Sequence, residues 1–438
     1  MSDSFQALLA TLAAGTPAGR VHSDGQTLSF RDLASAAQQE ALALAPLRQQ
    51  RVALHAEPSL RFLITLLACW QAEALPVLLD RFSAPPAGVR AQWQAGQWQP
   101  EAATGPVAQP PGLVLLTSGS SGEPKGVQLA EARILSHVQA VARAQDLQEP
   151  AAVAVMLPLH HAFALITQVL LTLYHGGELH FLPADALPAH RLAYLSAQRI
   201  ERLAGVPTQF RLLLPGLAST ALTHLTVAGA ALDQASAEAL LAACPQAALW
   251  VGYGLSEAGP RVSAIRHDHP QFWQGSVGPA LPGCQLRCVA GEIQVRSPWL
   301  MTGYLDQPPL PADHWLPTGD TGWLADDCLW VSGRRDELFQ VGGEKVAPLE
   351  IEQVLLACPG VTAAAVYGLP DPLLGASVCA LVQGEVALAA LQRAVRTALP
   401  PGKRPQQWFR VTALPLTGNG KLRRGALAEW PRQAFEVW

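Results

Sequence analysis

The sequence predicts an α/β fold, with a large N-terminal domain of parallel-type sheets flanked by helices and a smaller α+β domain behind it. Two observations predict it. Apolar runs of strand length alternate with helix-like stretches over the first three-quarters: Val77-Leu78-Leu79 after the helix-like 59–73, Gly112 to Leu116, Val153 to Leu157, and Leu225 to Ala228. Strands that short and that apolar are buried on both faces, as in parallel sheets covered by helices. The character then changes near residue 333. GRRDELFQVGGEKVAPLEIEQVLLACPGV reads as a turn and a helix from about Pro348 to Ala357, followed by a strand-like TAAAVYGL. The remaining hundred or so residues are enough for a separate unit.

Taken in order, the N-terminus MSDSFQALLATLAAG has no Lys or Arg before Arg20, so a short amphipathic helix is expected rather than a basic-started leader. The Pro-, Gly-, Gln- and Ala-rich stretch 84–112 reads as a loop or linker. The uncharged stretch 150–177 is split by Pro158 and His160-His161 into a strand-sized and a helix-sized piece, each too short to span a bilayer. Half of the 438 residues are hydrophobic, enough for a large core, and a net charge of −4 gives no basic field for nucleic acid. The seven cysteines are scattered, and the close pair Cys284 and Cys288 lacks a second pair for a zinc set. Reduced thiols in a soluble cytoplasmic protein are expected.

Four segments carry chemistry. In LVLLTSGSSGEPKGVQL, residues 113–129, an apolar strand delivers Thr117, Ser118, Gly119, Ser120, Ser121 and Gly122, then Pro124 and Lys125. Glycines let the backbone approach an anion, N–H groups and hydroxyls donate to it, and lysine adds a full charge, which is phosphate-binding chemistry. It is not the common P-loop, because Gly126 follows Lys125 and the GxxxxGK spacing fails at Pro124. A flexible Gly/Ser loop is the bland reading, and the Pro-Lys-Gly that follows argues against it. In GYGLSEAG, 252–259, Gly252 and Gly254 free the Tyr253 ring to lie on a planar ligand, and Glu257 is suited to Mg²⁺ beside phosphates. Alone, such a strand-to-turn sequence is commonplace. PTGDTGWL, 317–324, holds Asp320 in a turn where it can accept both hydroxyls of a ribose, although a turn-forming Asp is the commoner case. LPLTGNGKLRR, 414–424, presents Lys421 on a Gly-rich loop, or else is merely an exposed basic hairpin.

In this order the four segments resemble the superfamily of adenylate-forming enzymes, which includes acyl-CoA synthetases, aryl-acid ligases, peptide-synthetase adenylation domains and beetle luciferases. The resemblance runs from about Gly112 to Lys421. It implies that 117–126 grips the β- and γ-phosphates of ATP and that Glu257 holds Mg²⁺. It implies that Tyr253 and Gly229-Ala230-Ala231 sandwich the adenine, while Asp320 and Arg334 take the ribose. By the same likeness Asp336 is a hinge dividing 1–335 from a mobile 336–438. Lys421 then bridges the acid's carboxylate and the α-phosphate, and Gly342-Gly343 line the thiol tunnel once the small domain has turned. Ser256 stands where the family usually has Thr and keeps the hydroxyl for a phosphate contact. The chain before the first loop is shorter than in most relatives, as in the succinylbenzoate–CoA ligases and carrier-loading ligases that short chains resemble.

LPLHHAFAL, 157–165, resembles the family's stretch bordering the acyl pocket. It contains no acid, and a desolvated ammonium would need a countercharge, so a non-amino acid is expected, aryl or medium-chain. His161, Phe163 and Gly252 are the residues expected to seat it, and His161 is also a catalytic candidate. Paired histidines bring metal to mind, but no third ligand is near, and a backbone-bonded core histidine is the simple alternative. The expected products are acyl-AMP and pyrophosphate, then a thioester of coenzyme A or of the phosphopantetheine on an acyl-carrier protein. These acceptors rank nearly equal, because nine basic residues against one acid between Arg393 and Arg432 fit either. No nucleic-acid partner and no membrane span are expected. The competing readings are a non-catalytic nucleotide- or acyl-binding protein and a luciferase-like oxidoreductase, the latter separable by oxygen consumption without a thiol.

Overall fold

The computed structural model describes residues 4–80, 83–94, 97–100, 111–118, 124–183, 186–342, 344–416 and 422–435. Among them the largest sheet has eight strands, in the order Ser263–Arg266, Ala248–Tyr253, His224–Ala228, Arg202–Gly205, Ala152–Val155, Glu178–Phe181, Arg20–Ser23 and Gln26–Ser29. The inner six run parallel, and only the two edge pairings are antiparallel. Their apolar runs are buried as expected, with Leu225, Val227 and Leu249 fully enclosed.

A second sheet of seven strands runs Gly303–Tyr304, Pro124–Ala130, Gly112–Ser118, Leu75–Leu79, Arg51–His55, Val89–Gln94 and Gln97–Pro100. Its middle four strands are parallel. The helices Phe5–Ala14, Phe30–Leu44, Leu60–Gln71 and Glu131–Ala144 pack with both sheets into one hydrophobic core. Ser4, Ser29 and Ser59 start three of these helices, each side chain accepting a first-turn N–H that would otherwise lack a partner, a cap typically contributing about 1 kcal/mol. The N-terminal helix is stitched in. Phe5 stacks on Trp70 at 3.7 Å, Trp70 Nε1 donates to the Gly112 carbonyl at 2.9 Å, and the Phe5 N–H donates to Glu131 Oε2 at 3.0 Å.

Two expectations are corrected. The stretch 84–112 is not simply a loop, since it contains the strands Val89–Gln94 and Gln97–Pro100. Val89 and Ala91 are buried beside Arg51–His55, Trp93 and Trp98 meet edge-on at 5.1 Å, and buried Gln92 bonds His55 Nε2 at 2.9 Å. Val89, Ala91 and Trp93 alternate with Arg90, Gln92 and Gln94, a period-two pattern that the surrounding Pro-, Gly- and Gln-rich composition obscured. The second correction is a five-stranded antiparallel sheet, Gly278–Pro279, Cys328–Arg334, Leu316–Ala325, Glu292–Arg296 and Gln285–Val289, where only α/β alternation was expected.

Past Val341 the chain builds its own core. The strands Val361–Asp371, Gly375–Gly384, Gln407–Arg410 and Gln433–Ala434 form one sheet. Helices Pro348–Leu356 and Leu388–Ala398 cover it through Ile351, Leu355, Leu391 and Val395. No helix among the described residues is long and apolar enough to cross a membrane, and all seven cysteines are free.

Candidate active site

The carboxyl ends of the parallel strands gather several of the predicted residues along one edge of the eight-stranded sheet. His160, His161 and Phe163 follow Ala152–Val155; Gly229, Ala230 and Ala231 follow His224–Ala228; Gly254, Ser256 and Glu257 follow Ala248–Tyr253. Ala228 lies directly beside Gly252 in register, so the 229–231 and 252–257 turns are neighbours. Open α/β sheets bind ligands at this edge. The 252–259 turn is tight. A Cβ on Gly254 would fall 2.4 Å from the Pro260 carbonyl, so no other residue fits there.

Glu257 sits in the short helical turn Ser256–Ala258, pinned by the Met301 N–H donating to its carbonyl at 2.8 Å. The Tyr304 hydroxyl donates to Glu257 Oε1 at 3.2 Å, and the Tyr304 ring centroid lies 5.3 Å from Lys125 Nζ. Burial, then the neighbouring Glu257 charge, push the Tyr304 phenol up to about 12, so it remains a donor at neutral pH. A phenol thus joins the predicted cation to the predicted metal-binding carboxylate. Sequence reasoning missed Tyr304. It stands on a two-residue strand whose position depends on pairing with Val127, and no local pattern announces that.

Thr117 pairs with Lys125 across the antiparallel hairpin, its hydroxyl donating to the Lys125 carbonyl at 3.4 Å. Ser118 ends the described part of that strand. Gly119, Ser120, Ser121 and Gly122 lie outside the described residues, as do Gly343 and Lys421. Gly342 ends the strand Phe339–Val341 with φ 58° and donates to the Leu374 carbonyl at 2.8 Å.

The second constellation is built on a hairpin whose register places Asp320 opposite Arg334. Asp320 Oδ2 accepts from the Tyr253 hydroxyl at 2.5 Å and Oδ1 from Arg334 Nη1 at 3.2 Å. Arg334 Nε donates onward to Asp336 Oδ1 at 3.0 Å. That bond holds the Asp336 carboxyl below its usual range, while burial and Asp320 hold the Tyr253 phenol well above its own. Tyr253, expected as a face for the base, also fixes Asp320. His161 is half-buried, 4.0 Å from His160 ring to ring, and burial lowers His160 against the pull of Asp80. Among the described residues the group of three metal-type ligands is elsewhere, at His22, Glu178 and His180.

Comparison with known proteins follows the same line. Residues 83–305 match the family model described as AMP-binding enzyme, and residues 350–421 match its C-terminal domain. Sulfoacetate–CoA ligase of Cupriavidus necator is 31% identical over 354 residues, covering 73% of this chain and 67% of that protein. Feruloyl-CoA synthase of an Amycolatopsis species is 31% identical over 345 residues, 72% of this chain and 68% of that protein. Naringenin synthase of Pestalotiopsis fici is also 31% identical over 349 residues, but the chain spans only 13% of its length. ATP-bound MatB from Rhodopseudomonas palustris matches in fold with a TM-score of 0.85 at 24% identity, covering 98% of this chain and 99% of that one. With both parts matched, the chain belongs to the AMP-binding enzyme family of acid–thiol ligases.

Proposed function

We propose that the chain joins a non-amino carboxylic acid, aryl or medium-chain, to ATP as an acyl-adenylate with release of pyrophosphate, then passes the acyl group to coenzyme A. One observation carries this reading. Two hydrogen-bonded groups, Tyr304 with Glu257 beside Lys125 and Tyr253 with Asp320 and Arg334, flank one strand-end turn. The first suits a triphosphate, the second a nucleoside. A carboxylate is a poor electrophile, since its leaving group would be an oxide, and a mixed anhydride with AMP removes that obstacle. The protein's part is orientation and neutralisation of phosphate charge.

In this scheme Thr117, Lys125 and the loop between them hold the β- and γ-phosphates, with Ser256 adding its hydroxyl. Glu257 is a single carboxylate next to a phosphate site, which fits Mg²⁺, an ion that keeps several waters and takes one or two carboxylates plus phosphates. Mg²⁺ there supplies charge neutralisation. Tyr253 and Gly229-Ala230-Ala231 face the adenine, Asp320 and Arg334 the ribose, and His161, Phe163 and Gly252 the acid. The proposed division is 1–335 and 336–438, pivoting at Asp336, with Lys421 and Gly342-Gly343 serving successive steps. Free cysteines support a reducing cytoplasm.

Coenzyme A is favoured over a carrier protein because much of the basic C-terminal stretch is engaged within its own domain. Lys403 pairs with Glu350 at 2.7 Å, Arg424 with Glu352 and Glu337 at 2.7 Å each, and Arg410 donates to the Val386 carbonyl at 2.9 Å. Acid-dependent pyrophosphate exchange across a panel of carboxylic acids tests the reaction class. AMP is the expected nucleotide product, and ADP with inorganic phosphate would overturn the assignment.

A further inference from the structure

Arg424 stands three residues beyond Lys421 and opens the short helical turn Arg424–Ala426. The stretch 417–421 lies outside the described residues, but the chain on either side of it is tied together. Leu416 bridges Leu422 in antiparallel register, and the Arg423 N–H donates to the Pro415 carbonyl at 2.8 Å. A loop closed at its base takes its place in the domain from whatever holds that base. Arg424 supplies the hold.

Its guanidinium reaches three elements at once. Nη1 and Nη2 donate to Oε1 and Oε2 of Glu352 at 2.7 and 2.9 Å, the parallel pairing that the fork favours. Nη1 also donates to the Val366 carbonyl at 3.2 Å, while Glu352 Oε1 accepts the Val366 N–H at 2.8 Å. Glu352 is buried on helix Pro348–Leu356, so this pairing gives a buried carboxylate the partner it requires. The third contact is of another kind. Arg424 Nε meets Glu337 Oε2 at 2.7 Å, and the Glu337 side chain is 26% exposed, so burial does not oblige it to pair. Glu337 belongs to the single turn Arg335–Glu337 and follows Asp336, the proposed pivot, whose own carboxylate is held by Arg334.

We propose that the Glu337–Arg424 pair is a positioning device for the adenylation step. It locks the base of the Lys421 loop to the hinge turn, so that the pivot delivers the lysine ammonium in one geometry. The inference rests on the role given to Lys421 above and adds two residues that act through it. Neither Glu337 nor Arg424 touches substrate. Lys421 must meet two anions as they converge, and a misplacement of about 1 Å in such an arrangement costs on the order of 10²-fold in rate. Both partners lie on the small-domain side of Asp336, so the pair turns with that domain and fixes the loop relative to the axis of turning. In the thiol step the lysine is not used, and the pair should not matter there.

The test measures the two half-reactions separately, using whichever aryl or medium-chain acid gives the fastest pyrophosphate exchange. Glu337→Ala spares the buried Glu352 pairing, so the small domain should fold and Tm should move by about 2 °C at most. Adenylation kcat should fall roughly 10- to 100-fold with the KM for ATP little changed, and thioester formation from supplied acyl-adenylate should keep its rate. Glu337→Gln, which can still accept the Arg424 bond, should lose less. The deciding measurement is the double variant. If the pair acts through Lys421, then Glu337→Ala added to Lys421→Ala should slow adenylation no further, because there is no ammonium left to position. If Glu337→Ala leaves adenylation intact, slows both half-reactions equally, or multiplies the loss in Lys421→Ala, the inference is wrong while the role of Lys421 stands. If Lys421→Ala alone adenylates at the wild-type rate, or no acid supports exchange, that role falls and the inference with it.

Discussion

Tyr304 holds Glu257 by one hydrogen bond and lies beside the Lys125 ammonium, so its loss should be felt in adenylation and little elsewhere. Tyr304→Phe removes a hydrogen bond to a charged group, worth about 1.5–3 kcal/mol, and should lower the adenylation rate roughly 10- to 100-fold while Tm moves by a few degrees at most. An unchanged rate would make the contact incidental. Lys421 is the sharper case. Two anions, carboxylate and α-phosphate, resist meeting, and an ammonium touching both stabilises them as they converge. Lys421→Ala should slow adenylation by roughly 10²–10³-fold yet leave thioester formation from supplied acyl-adenylate near the wild-type rate. Intact adenylation in that variant would reduce Lys421 to a surface lysine. Lys125, Glu257 and Asp320 could be named as candidates from the sequence because glycines at fixed offsets mark the tight turns beside them. Tyr304 could not, since a phenol on a two-residue strand acquires meaning only from partners distant in the chain.

Among the elements, legibility followed burial. Strands enclosed on both faces announced themselves as apolar runs, and helix-like stretches were read between them. Strands with one wet face did not: Gln285–Val289 and Glu292–Arg296 bury alternate residues at best, and their charged members break the apolar pattern. The hairpin carrying Asp320 and Arg334 belongs to that antiparallel sheet, so its geometry was hidden even where its motif was plain. Just beyond it, Arg335–Glu337 forms a single turn before the small domain's first strand. Hinges are a few such residues that absorb large φ/ψ changes, and proline locks φ near −65°. Asp336→Pro should therefore hold one arrangement of the two parts and uncouple the half-reactions, read as adenylation and thioester rates measured separately. Equal loss of both would count against a pivot at this turn.

For the whole molecule, buried neutral histidines set an acid limit on stability. Burial lowers His137 to about 4 and His224 to about 3, whereas an unfolded histidine titrates near 6.5. The unfolded chain thus binds more protons below that value. Their contribution is complete above about pH 6.5 and is lost as pH falls toward 4 for His137 and toward 3 for His224, on the order of 3–5 kcal/mol for each ring. Melting curves at pH 7, 6 and 5 should show Tm declining over that span, and a flat profile would mean these rings protonate without cost. The Arg334 guanidinium touches Asp320 and Asp336 at once, and so one side chain reports to two masters. On the proposed roles, a ribose competing for Asp320 changes how firmly Arg334 holds the pivot. By linkage the pivot must then change the affinity for nucleotide by the same factor. The enzyme would hence be a small engine in which nucleotide occupancy and domain angle are one variable seen from two ends. The ATP affinity of the Asp336→Pro protein, set against that of the wild type, measures how tightly the two are geared.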